Sequence, residues 1–183
     1  MDKAKRCRWC NPGNPLYIEY HDREWGVPNF DEGYLFEMLV LESFQAGLSW
    51  ECVLNKRESF RQAFDGFDPH KIACYSESKI AELMGNKGII RNRRKIEAAV
   101  NNSRVFLDIA REWGSFGKYL GSFTKGETLY ECGKTTNALS DAISKDLQKR
   151  GMKFAGSVII YSYLQAIGVI YSHDRDCFLY KGE

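Results

Sequence analysis

Apolar residues fill nearly every position from 34 to 46, which predicts a helix buried on all sides with Gly47 as its stop. Ser49 predicts the cap of a helix running to about Phe64, Asp65-Gly66 a turn, and Asp68-Pro69 the start of a short helix. Ser76 caps another short one. From Asn92 to Trp113, Ile96, Ala99, Val100, Phe106 and Ala110 recur at the helical period up to Gly114, giving the longest helix. Residues 138–150 and 156–172 predict the last two, separated by Gly151-Met152-Lys153-Phe154-Ala155-Gly156. No two alternating β-branched runs flank a hairpin turn, so no strand pair is expected and the fold class is all-α.

One position breaks the first pattern. Leu35, Met38, Leu39 and Ala46 define the stripe of the buried helix, and Glu42 falls in the middle of it. An uncompensated buried carboxylate costs on the order of several kcal/mol, so Glu42 is either ion-paired with an arginine or functional. Aromatic residues crowd the same region: Trp9, Tyr17, Tyr20 and Trp25 precede the helix and Trp50 follows it. Such rings are core, or they are surfaces on which a nucleobase stacks, worth roughly 1–3 kcal/mol per base.

The chain has 183 residues, 44% hydrophobic and 27% charged, which suits one domain over 1–183 built as two closely packed helical lobes. No apolar run approaches the ~18 residues of a membrane span, and Met1-Asp2-Lys3-Ala4-Lys5-Arg6 has no secretory character, so a cytoplasmic location is expected. In that compartment six cysteines read as metal ligands or small core residues rather than disulfides. Cys7, Cys10 and His21 lie near one end, and His173 and Cys177 near the other. The H-x3-C pair would share a face if the last helix continued that far, and two donors from each end would complete a closed, structural zinc site.

A net charge of +2 excludes a protein that grips nucleic acid mainly through a broad basic surface. The basic residues are instead bunched in Arg91-Asn92-Arg93-Arg94-Lys95 and Lys149-Arg150-Gly151-Met152-Lys153, runs that otherwise read as solvated helix ends. Ser157 follows Gly156 where a phosphate-binding P-loop needs lysine, which rejects nucleoside triphosphate binding. A glycine-flanked hairpin between two helices is either an ordinary αα turn or a helix-hairpin-helix device whose amides hold one DNA phosphate.

At these residues the chain resembles the bacterial DNA-3-methyladenine glycosylase I family of the helix-hairpin-helix glycosylase superfamily. The resemblance rests on Cys7-Arg8-Trp9, the string Pro15 to Pro28, the string Leu41 to Trp50, Gly88 to Arg91, Lys149 to Gly156, and Tyr161 to Ala166. It implies zinc, one structural ion, on Cys7, His21, His173 and Cys177, leaving Cys10 unassigned. It also implies Glu42 as the acid of the base pocket, Trp50 as the stacking ring, and Trp9, Tyr17, Tyr20 and Trp25 as further walls. Leu48, beside Gly47, would plug the gap left by an everted nucleotide, and Gly151, Lys153 and Gly156 would meet the DNA backbone. Many helix-hairpin-helix glycosylases carry a catalytic Asp beyond the hairpin. Asp174 lies near that place, but this family works without it, so Asp174 ranks below Glu42.

The implied activity is hydrolysis of the N-glycosidic bond of 3-methyladenine in alkylated double-stranded DNA by a monomer, with base flipping and no lyase step. The alternatives are a zinc-stabilised DNA-binding module without catalysis and a related glycosylase for another damaged base.

Overall fold

Short polar side chains open most of the helices by accepting N–H groups that a first turn leaves free. Asn14 does so for α1 (Pro15–Arg23), Asp31 for α2 (Glu32–Gln45) and Ser49 for α3 (Trp50–Leu54). α4 (Arg57–Ala63) starts without such a cap. Asp68 opens α5 (Pro69–Ala73), Ser76 α6 (Glu77–Gly85), Asn92 α7 (Arg93–Trp113) and Ser115 α8 (Phe116–Thr124). A reciprocal Asn137–Ser140 capping box opens α9 (Ala138–Lys149), whereas α10 (Ser157–Ala166) follows Gly156 with no side-chain cap. These elements come from a computed structural model, which describes residues 4–182.

α2 is the hub. Every side chain from Leu35 to Phe44 is buried, and α3, α7, α8 and α10 all pack on this helix. Full burial of each large apolar side chain contributes roughly 1.5–3 kcal/mol, and edge-to-face pairs such as Phe36–Phe106 (5.0 Å) and Phe44–Phe60 (4.8 Å) knit the hub to its neighbours. Nearly all the buried apolar side chains form one continuous cluster from Cys7 to Cys177. Among the described residues no helix is long and apolar enough to cross a membrane.

The all-α expectation needs one amendment. Leu129–Tyr130 (β1) pairs in parallel with Ile170–Tyr171 (β2), in the register Leu129 to Ile170 and Tyr130 to Tyr171. A two-residue parallel pair offers neither alternation nor a hairpin turn, which is why the sequence does not announce it. The helix expected over 156–172 accordingly stops at Ala166, where Gly168 turns the chain at φ +76° into β2. The helix expected from Ser49 to Phe64 is divided at Asn55–Lys56, and the break lets Arg57 reach Glu24 and Glu37. α1 and α8 are helices that the periodicity does not single out.

Gly168 is fixed by close approach as well as by its turn. A β-carbon there would lie 2.2 Å from the backbone nitrogen of Pro28, because the 26–29 segment docks on the end of α10 through Gly26 N–H to the Gln165 carbonyl and Asn29 N–H to the Ile167 carbonyl. Gly168→Ala is expected to lower stability by more than ~3 kcal/mol through this backbone clash. Gly133→Ala, also at positive φ but facing open space, should cost only about 1 kcal/mol. Urea unfolding of the two variants checks the difference.

Candidate active site

Three helices each place two cavity-facing side chains three residues apart, the spacing that puts neighbours on one face. α1 supplies Tyr17 and Tyr20, α2 supplies Glu42 and Gln45, and α10 supplies Ser162 and Gln165. Trp9, Trp25 and Trp50 complete a cavity of about 210 Å³, smaller than the roughly 300–1,000 Å³ of sites for larger ligands and suited to one small planar ring system. Thus all six residues singled out for the pocket line a common space. The sequence reading missed Gln45, Ser162 and Gln165. Gln45 lies one helical step from Glu42 and could have been found by that spacing, whereas the α10 pair joins only through the packing of α10 on α2.

The rings form a continuous wall. Trp9 meets Trp25 edge-on at 4.8 Å and Tyr17 at 5.2 Å, and Tyr20 meets Trp50 at 5.3 Å. The Trp50 indole N–H is buried without a hydrogen-bond partner among the described residues. Glu42 is 4% exposed and, among the described residues, has neither a hydrogen-bond partner nor a cation beside it. Burial alone pushes its carboxyl up to about 8. Glu37, on the same helix, is the contrasting case: it is buried between Arg57 and Arg61, the structural ion pair that Glu42 lacks.

Cys7, His21, His173 and Cys177 are all buried and bring one donor atom each to within 4.8 Å of one another. Cys7 Sγ lies 3.4 Å from His173 Nδ1, and Cys177 Sγ lies 3.6 Å from that atom and 3.5 Å from His21 Nε2. A tetrahedral zinc with bonds of about 2.0–2.3 Å needs donor separations on the order of 3.5 Å, so the set fits the ion. Burial pushes the Cys7 thiol far above its ordinary range and His173 down to about 4, and it lowers His21 as well. A bound cation reverses the thiol preference, because thiolate is the ligating form. The supporting shell is also present. His21 Nδ1 lies 2.7 Å from Asp22, whose other partner is Arg6 at 2.6 Å, and these partners hold Asp22 below the usual carboxylate range although burial opposes them.

The H-x3-C pair meets through a turn closed by Cys177 N–H to the Asp174 carbonyl, and not along a continuing helix, which has already ended at Ala166. Cys10 lies outside the four, with its thiol 3.7 Å from the Tyr17 carbonyl. Asp174 accepts the Arg8 N–H at 2.8 Å and lines a different hollow, away from Glu42. Trp9 and Trp25 touch the cluster directly, at 5.2 Å from His21 and 4.7 Å from His173.

At the end of α2 the chain turns through Gly47 at φ +78°, and Leu48 stands 38% exposed, held by hydrogen bonds in both directions with Gln45. The Gly151–Gly156 segment turns between α9 and α10. Asn102 of α7 donates to the Lys153 carbonyl and accepts the Lys153 N–H, both at 2.8 Å, and Asn101 donates to the Gly151 carbonyl at 2.9 Å. The basic runs are partly neutralised, Arg93 by Glu77 and Glu97 and Arg150 by Glu112 and Asp146. Arg91, Arg94, Lys149 and Lys153 stay exposed, but Lys95 is buried against the end of α2.

A profile of the methyladenine glycosylase family matches residues 9–180. DNA-3-methyladenine glycosylase 1 of Escherichia coli K12 is 45% identical over 97% of this chain and 98% of its own length. A crystal structure of 3-methyladenine DNA glycosylase I superposes with a TM-score of 0.92 at 44% identity, over 97% of this chain and all of the other. A variant of such a glycosylase, solved in complex with 3-methyladenine, superposes at 0.89 with 36% identity, over 94% of this chain and 96% of the other. Agreement of this extent, in sequence and in backbone alike, makes this chain a member of the methyladenine glycosylase family.

Proposed function

We propose that this chain excises 3-methyladenine from alkylated double-stranded DNA by hydrolysing its N-glycosidic bond, after turning the damaged nucleotide out of the helix into the aromatic cavity. The observation that carries the proposal is the unpartnered Glu42 carboxyl in a ring-lined cavity. A solely structural role would leave such a group as pure cost, whereas a ligand can supply what it lacks. Extruding a base from duplex DNA costs a few kcal/mol, least where alkylation has weakened pairing.

A purine methylated at N3 is cationic while still attached to its sugar. Inside the cavity it restores the counter-charge that the protein withholds, drives Glu42 to its ionised form, and donates hydrogen bonds from its exocyclic amine edge to that carboxylate. A neutral adenine gives no such return, so discrimination follows from charge as well as shape. Trp50 and a facing ring stack on the base, and Tyr20 orients it. The cationic base is already a good leaving group, so water attack on the sugar needs little acid–base help. Among the described residues no lysine lines the cavity, which supports simple hydrolysis to an abasic site without a Schiff base.

The amides of the first turn of α10, free of a side-chain cap, take a DNA phosphate beside Gly151, Lys153 and Gly156. Leu48 fills the space that the extruded nucleotide leaves. Zinc on Cys7, His21, His173 and Cys177 would hold the wall formed by Trp9 and Trp25, and with four protein ligands it offers no position for reacting water.

Glu42→Gln is expected to reduce release of 3-methyladenine from methylated duplex by about a hundredfold or more; undiminished release would reject the assignment. The same variant should be the more stable protein at alkaline pH. A carboxyl whose folded-state pKa is raised contributes its stability fully below the ordinary value of 4.5 and loses it as pH rises through about 8, a loss that glutamine avoids. Thermal unfolding at about pH 5 and about pH 8.5 should show the advantage of the variant growing with pH. For the metal, elemental analysis should find zinc equimolar with the protein. Cys7→Ser should remove it and lower the melting temperature, and Cys10→Ser should leave the metal content unchanged.

A further inference from the structure

We propose that Lys95 is a positioning residue that locks the Gly47–Leu48 turn to the α9–α10 hairpin, setting the spacing between wedge and phosphate grip. The proposal rests on the wedge role given to Leu48 above. A helix leaves its last carbonyls without backbone donors. At the end of α2 the Lys95 ammonium donates to the Phe44 carbonyl at 2.7 Å and to the Ala46 carbonyl at 2.6 Å. Lys95 is 7% exposed, and among the described residues no carboxylate forms a salt bridge with it, so its charge is met by these two carbonyls and the negative end of the α2 dipole. The turn it secures has little other support. Gly47 faces open space, and the hydrogen bonds between Gln45 and Leu48 are local to the turn.

The same lysine reaches the second DNA-facing element. Its ammonium lies 6.0 Å from the centre of the Phe154 ring at the hairpin tip. Seven positions along α7, about 10 Å at 1.5 Å per residue, Asn102 brackets Lys153 through both backbone groups. One stiff helix therefore holds the wedge turn at one point and the hairpin at another. Holding a nucleotide out of a duplex needs both at once. A single strand has no stack to re-close, and its bases reach the cavity without a wedge.

The test is base release by Lys95→Met from methylated duplex and from methylated single strand, with binding of free 3-methyladenine followed by tryptophan fluorescence. Release from duplex should fall about tenfold while release from single strand stays within about twofold, the loss expected when two buried carbonyls lose their donor at a site used only on duplex. Binding of the free base should not change. Leu48→Ala should show the same duplex-selective loss, and the double variant should be no worse than the weaker single one. Equal losses on both substrates, as from a general loss of stability, or an intact duplex rate, would overturn the proposal. If Lys95→Met does not fold, Lys95→Gln is read by the same criteria. A Leu48→Ala protein without selective loss removes the wedge reading and the Lys95 proposal with it. Selective loss in Leu48→Ala but not in the Lys95 variants overturns the Lys95 proposal alone.

Discussion

The organising constraint is that, among the described residues, Glu42 has no counter-charge. Its helix is buried on all sides, and the neighbouring acid on that helix, Glu37, is fully compensated by two arginines. Compensation was therefore available to the fold at a distance of five residues, and the cavity goes without it. The result is a pocket whose walls are apolar rings and whose one titratable acid is held neutral by its surroundings at ordinary pH. Such a site is poised toward cations that are flat and weakly hydrated, which is the chemical character of an alkylated purine.

The second consequence of this arrangement is that rigidity has to come from elsewhere. Rings lining an opening have fewer packing partners than rings in a core, so the wall needs an anchor behind it. Trp9 and Trp25 find theirs in the imidazoles of His21 and His173, and those imidazoles are oriented by Asp22 and by the Trp25 backbone. The metal-type cluster and the cavity thus share side-chain contacts rather than merely lying in one molecule. On the opposite side, Tyr20 and Trp50 lean on each other, and Tyr34 ties Glu24 to the Ala166 carbonyl behind them.

How much of this is legible before folding depends on whether a feature is local. Glu42 is readable because a carboxylate interrupts an apolar run, and the caps at Ser49, Asp68 and Ser76 are readable because capping is a matter of a few residues. The cluster is readable as a set of donors, but spacing alone does not choose between Cys10 and His21. That choice is made by α1, which turns His21 toward the other three and offers the Cys10 thiol its Tyr17 carbonyl instead. Ser162 and Gln165 carry no sign of their place, since they meet Glu42 only through helix packing. Lys95 is misleading in sequence, where it closes a basic run, because its burial is decided by carbonyls some fifty residues away. The β1–β2 pair is likewise a product of tertiary contact.

The donors of the cluster come from remote parts of the chain: Cys7 and His173 are separated by 166 positions, and Cys177 and His21 by 156. Ligation of a metal there would make the polypeptide effectively a ring, and closing so large a loop removes much of the freedom of the unfolded chain. It would also make the centre a late event in synthesis, because α2 and the Glu42 stripe precede His173 by well over a hundred residues. A metal held there would thus couple the wall of the cavity to contacts between parts of the chain that are far apart in sequence.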